Sequence, residues 1–138
     1  MSDGSLKKIW GYDGDQWQKL GLLFGYNDVY SEAYGMEAYM DGYVYLFGGE
    51  VPAGYIYVIT HMTGYNDTRA PISISFGLFN LTTMVMCTTF NEPAAHQRVG
   101  GQTHIILKKG YSAVMEVNGC ITNDMLFIDI HGYKMKIS

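Results

Sequence analysis

The sequence predicts an all-β fold: an antiparallel β-sandwich, jelly-roll-like, with an N-terminal arm or hairpin. Three observations carry this. Short runs of β-branched and aromatic residues recur along the chain, bounded by Gly, Asn and Asp. No segment between them has the apolar spacing of a helix long enough to serve as a parallel crossover, so neighbouring strands must pair antiparallel. The 17 glycines and 12 tyrosines, against 3 prolines, suit a protein made of turns and pleated surfaces.

Taken in order, the first stretch stands apart. "KKIWGYDGDQWQKL" places both tryptophans around an Asp-Gly turn, so residues 9–12 and 16–20 are expected to pair as a small hairpin. A lone two-stranded hairpin is marginal in water, so this one must pack on the domain or on a neighbouring subunit. Residues 1–20 are assigned to this arm and 21–138 to a single sandwich domain, with Trp10, Tyr12, Trp17, Leu20 and Phe24 as the arm's contacts. The stretch 27–42, "NDVYSEAYGMEAYMDG", is the one helix candidate, with Asp28 or Ser31 as cap. Gly35 interrupts it and its apolar residues are mostly tyrosines, so at most a short helical turn is expected there.

Strands follow readily. "YVYLF" (43–47) and "YIYVITHM" (55–62) flank the turn "GGEVPAG". "ISISFGL" (72–78) alternates cleanly, with Ile72, Ile74, Phe76 and Leu78 facing in and Ser73, Ser75 and Gly77 forming a wet face. "MVMCTTF" (84–90) pairs with it as a hairpin across "NLTT". "THIIL" (103–107), "SAVMEV" (112–117), "MLFIDI" (125–130) and "YKMKI" (133–137) complete the set, with 112–117 and 125–130 expected to pair around the loop "NGCITND". Leu126, Ile128 and Ile130 share one face, whereas Tyr133, Met135 and Ile137 have the opposite parity. If both sets are to reach the core, the register must change by one residue near Gly132, where a glycine suits a β-bulge.

Bulk properties narrow the function. A chain of 138 residues can bury a core without metal or disulfide staples. Its 16% of charged residues, against roughly 25% in an average domain, implies a large buried fraction or a surface that a partner covers. A net charge of −4 lacks the basic footprint that phosphate contacts require, which argues against nucleic acid. The N-terminus shows no secretory signal and no run approaches a membrane span, so a soluble chain made in a cytoplasm is expected, with no membrane partner. Cys87 and Cys120 are read as reduced, small hydrophobic residues.

The last third holds the residue types of an active site, yet the spacing disfavours one. Cys120 needs a base to become a thiolate, and His131 lies at the far end of the expected hairpin. Asp124, Asp129 and His131 lack a fourth convergent ligand, and His96 and His104 do not supply zinc spacing. No serine-hydrolase elbow, P-loop or dinucleotide fingerprint is present. The expectation is therefore no enzyme, no catalytic residues, no metal and no cofactor, with a calcium ion in a "GYND" turn (25–28 or 64–67) left open. Gly-Tyr recurs seven times at irregular spacing, each Gly turning the chain and each Tyr opening a strand half-buried. Such tyrosines suit a subunit interface or a sugar-binding face; Tyr55, Tyr57 and Tyr65 are the candidates for a glycan platform.

The succession "WGYDGDQWQKLGLLFGYND", then "EVPAGYIYVITHMTGYND", then "IILKKGYSAVMEVNGCITNDMLFIDIHGYKM" resembles small β-sandwich structural proteins of tailed-phage virions. The first block is similar to the "YDG-x-x-W" hairpins of phage fibre and head-decoration proteins, and the other two look like jelly-roll head-associated subunits. The resemblance is one of pattern over most of the chain and transfers no catalytic residue. It implies a homo-oligomer, a trimer by preference, fixed to a capsid or other virion protein. The expected function is thus a non-enzymatic virion component, a decoration, cement or head-fibre-like subunit. The alternative is a carbohydrate-binding sandwich that recognises a receptor or host-surface glycan through aromatic faces.

Overall fold

The structure is a computed structural model that describes residues 26–137. The expected arm, with Trp10, Tyr12, Trp17, Leu20 and Phe24, lies outside the described residues. Eight strands follow: β1 (Tyr26–Glu37), β2 (Gly42–Phe47), β3 (Tyr55–Asn66), β4 (Ser73–Phe79), β5 (Met84–Asn91), β6 (Val99–Leu107), β7 (Ser112–Cys120) and β8 (Met125–Lys136).

Their pairing explains the architecture. β1 pairs with β8, β2 with β7, β3 with β6 and β4 with β5, all antiparallel, so the chain is one long hairpin of four successive pairs. Two further pairings, β3 with β8 and β4 with β7, roll that hairpin into two four-stranded sheets. Their orders are β1-β8-β3-β6 and β2-β7-β4-β5, the arrangement of a jelly roll. Between the sheets lie Val44, Leu46, Ile59, Met62, Ile74, Phe76, Met115, Val117, Leu126, Ile128 and Ile130, all buried. Eleven large apolar side chains in one layer supply the hydrophobic driving force that holds the two sheets together.

Several local expectations are corrected. The stretch 27–42 forms no helical turn, because β1 docks along β8 from Tyr26 to Glu37 and the ladder overrides the weak cap signals. β7 and β8 do not pair with each other; the loop after Cys120 carries the chain from one sheet to the other. The outer side of β4 is not wet: Ser75 is buried and bonded to Thr89, and Gly77 lies under β5. Ile72, expected inside, precedes the strand and is exposed.

The register change foreseen at Gly132 occurs beside it. β8 is one continuous strand and runs past Gly132 against β1 without a shift. The irregularity is on β3, between Ile59 and His61, where Thr60 has no partner on β8. Tyr57 and Ile59 point into the core before that bulge; Met62 points in after it, so His61, Thr63 and Tyr65 turn outward. Gly132 pairs with Ile59, and a β-carbon there would meet the Val58 carbonyl oxygen at 1.9 Å. Its role is therefore to let β3 approach closely rather than to bulge. Tyr133 and Met135 stay half-buried on the outer side, and Ile137 is exposed.

Candidate assembly surfaces

β2 is apolar on both faces. Val44 and Leu46 enter the core, while Tyr43, Tyr45 and Phe47 point away from it. A sheet with one solvated face should carry polar residues at those outward positions. Tyr43 is 50% exposed and Phe47 38%. Phe47 meets Phe79 of β4 edge-on at 5.7 Å and sits opposite Val114, which is fully buried although it faces outward. Across all four strands of this sheet, Glu116 is the only Asp, Glu, Lys, Arg or His. It bonds the Tyr45 hydroxyl, and burial together with that carboxylate raises the Tyr45 pKa. The β2-β7-β4-β5 face is thus aromatic and nearly charge-free, the composition of an interface core.

The opposite face, of β1-β8-β3-β6, is mixed. The Tyr65 ring stacks on Phe127 at 5.1 Å, and the Arg98 guanidinium lies 4.7 Å over the same ring. Arg98 also donates to Asp129 at 2.7 Å and to the Thr63 hydroxyl at 3.0 Å. Further along the same β3–β8 ladder, next to the Thr63–Asp129 pair, His61 and His131 face each other with ring centroids 6.0 Å apart, and His131 shares a hydrogen bond with Ser31.

One end of the sandwich is held by a buried carboxylate. Asp124 accepts from Arg69 Nε at 2.7 and 2.9 Å, from Asn66 Nδ2 at 3.1 Å and from the Ile121 N–H at 3.0 Å. Burial alone would raise its pKa, but these donors outweigh it and hold the carboxyl below the ordinary carboxylate value. The group ties the ends of β3 and β7 to the start of β8, a structural clasp. Asn66, the asparagine of an "NDT" glycosylation pattern, is fully buried in it and closed to a glycan.

The candidates from sequence scatter. Tyr57 is buried against Tyr30 at 4.8 Å, so its ring cannot serve as a sugar platform. Tyr55 lines an open groove of about 480 Å³ with Asp28, Pro52, Tyr57, Lys134 and Lys136. Tyr65 is carried to the outer face by the β3 bulge, eight residues or roughly 26 Å along the strand from Tyr57. The three tyrosines do not form one platform. Cys87 and Cys120 are both free; burial and the Asp124 charge push the Cys120 thiol up to about 11, which keeps it protonated and inert. Asp124 pairs with Arg69, Asp129 with Arg98 and His131 with Ser31, so the three do not converge. Among the described residues no group of three or more His, Cys, Asp or Glu is placed to hold a metal ion. Nor is any described helix long and apolar enough to cross a membrane.

The fold and its surfaces define a jelly-roll domain with one aromatic, charge-poor face. No family model matches the chain, and no curated protein does. Among solved structures, it is similar to a chain of the acid-stable capsid of the Helicobacter pylori bacteriophage KHP30. That match has a TM-score of 0.52 at 15% identity and covers 78% of this chain and 89% of that one. A chain of the disulfide-linked pili of Bacillus endospore appendages matches at a TM-score of 0.41 and 11% identity, over 83% of this chain and 94% of that one. A chain of infectious bursal disease virus, Gx strain, matches at 0.37 and 8%, over 80% of this chain and 38% of that one. The first of these likenesses supports the jelly-roll fold, and at such identities it extends to nothing more.

Proposed function

We propose that the chain is a non-enzymatic structural subunit of a tailed-phage virion, a capsid decoration, cement or head-fibre-like protein that acts by assembling with copies of itself on the particle. The observation that carries this reading is the two-faced β2 strand, whose outward Tyr43, Tyr45 and Phe47 lie in a sheet with a single charged residue. A face of that composition gains by being covered, and a second copy of equally low charge covers it while burying a single carboxylate, Glu116, which has the Tyr45 hydroxyl as its partner. The likeness in fold to a phage capsid chain supports the setting, as does the resemblance in segment order. On this reading the copies form a homo-oligomer, a trimer by preference, and the arm with Trp10, Tyr12 and Trp17 attaches it to the major capsid protein or another virion protein.

The test is attachment. Particles mixed with the full chain should retain it through sedimentation, and a variant lacking residues 1–20 should fold but stay in the supernatant. Retention of the truncated chain would overturn the role of the arm. The second reading is a carbohydrate-binding sandwich, and what favours it is the groove that joins Tyr55 to Lys134 and Lys136. Binding of acidic glycans by a stable monomer, lost on Tyr55→Ala, would favour that reading over assembly.

A further inference from the structure

Among the described residues the sandwich has four strand edges, and they are treated unequally. At the β2 edge, the Tyr34 hydroxyl donates to the Phe47 carbonyl at 2.8 Å and the Tyr45 N–H donates to the Tyr39 hydroxyl at 3.1 Å. Just beyond the strand, the Gly49 N–H donates to Glu32. Side chains from β1 and the β1–β2 turn therefore close that edge. At the other side of the sandwich, no hydrogen bond among the described residues reaches the free edge of β5 or β6. β5 contains no Asp, Glu, Lys, Arg, His or Pro, and β6 contains only His104 among these. Lysines, prolines or a covering loop normally blunt such an edge. The devices here are a bulge at Cys87 on β5, which leaves Thr88–Asn91 regular, and one on β6, where Thr103 and His104 stand opposite Thr60.

Between these two edges a cleft of about 140 Å³ opens toward the core. Its lining includes Met62, Phe76 and Phe90, with Thr88 and Thr103 at the rim. A cavity of roughly 150 Å³ accepts a benzene ring. One aromatic side chain on an extended strand would therefore fill the cleft while its backbone pairs with the bare edge.

We propose that this cleft is the acceptor for residues 18–24 of a second copy, added as an extended strand with the Phe24 ring in the cleft. This rests on the assembly reading above and names where the segment before β1 engages its neighbour. In an extended "QKLGLLF", Leu20, Leu22 and Phe24 fall on one face by the two-residue period. The length of chain decides between the copies. Phe24 precedes Tyr26, the first residue of β1, by two residues, at most about 7 Å of chain. β1 and β6 are the two edges of one sheet, separated by β8 and β3, about 14 Å at the usual strand spacing. A chain's own Phe24 cannot cross that distance; a neighbour's can.

The experiment uses full-length Leu22→Cys and a short bis-maleimide on an equal mixture of isotopically light and heavy protein. Cys87, exposed next to Thr88, is the native target, and buried Cys120 stays unreactive until the chain unfolds. The expected product is a 22–87 cross-link between light and heavy copies, reduced at least tenfold by Thr88→Lys at the cleft and unchanged by Thr83→Lys outside it. Circular dichroism on each variant confirms the fold. An oligomer that yields no 22–87 cross-link, or one only within a single copy, overturns the inference and leaves the assembly reading standing. A wild-type chain that runs as a monomer at micromolar concentration overturns both.

Discussion

A β-carbon built on Gly132 would lie 1.9 Å from the Val58 carbonyl oxygen, so Gly132→Ala must push β3 and β8 apart where β3 bulges. Backbone cannot yield as a side-chain tip does, and the expected loss is about 3 kcal/mol in urea unfolding. Asp124 is the other residue on which the fold leans. Removing the carboxylate leaves Arg69, Asn66 and the Ile121 N–H without their shared acceptor, and Asp124→Ala is expected to lower stability by about 3 kcal/mol. The pH dependence follows from the same group. Its folded pKa is below the ordinary value of 3.8, so the stability it contributes is complete above that value and is lost as pH falls through the lowered one. Acid unfolding followed by far-UV circular dichroism should therefore show a steep loss below about pH 4 that Asp124→Asn flattens. Gly132 was marked beforehand as a structural glycine, but the Asp124 clasp was not legible. Asp124 stood out in sequence as a reactive type, but its partner Arg69 is 55 residues away and no local pattern joins them.

At the scale of elements, seven of the eight strands could be placed from β-branched and aromatic runs, because their inward residues alternate as the pleat demands. β1 escaped. Its "YNDVYSEAYGME" spends tyrosines where valines would signal a strand, and only its long ladder with β8 makes it one. The supposed β7–β8 hairpin failed for a different reason. Strands adjacent in sequence pair by default, and nothing in "NGCITND" records that the chain there changes sheets. The bulge was sensed from the parity conflict in the last strand, although the extra residue is Thr60 of the strand alongside. β2 yields the prediction that belongs here. Tyr43 is half exposed and makes no core contact, so Tyr43→Lys should change stability by less than about 0.5 kcal/mol. In sedimentation velocity the same substitution should weaken self-association at least tenfold, because it places an unpaired charge in an apolar interface.

For the whole molecule, the eight strands form one rolled hairpin whose sheets differ in chemistry. The β1-β8-β3-β6 sheet carries acids, bases and histidines, and the β2-β7-β4-β5 sheet carries one charge and a row of outward rings. The low overall charge seen in the composition is therefore concentrated on one side. Composition could report the surplus of apolar surface but not its location, which depends on which strands share a sheet. Tyr39, Tyr43 and Phe47 expose between 38% and 54% of their surface. At about 200 Å² per aromatic side chain, that is roughly 300 Å² of ring surface, a substantial part of the ~800 Å² each partner contributes to a standard interface. Assembly through this face is the central claim, and light scattering coupled to size-exclusion chromatography tests it most directly. At 10 µM or so, near physiological salt, the full chain should elute at a single mass that is a small multiple of 15.5 kDa, three being favoured. A monodisperse peak at 15.5 kDa that persists at tenfold higher concentration would contradict it.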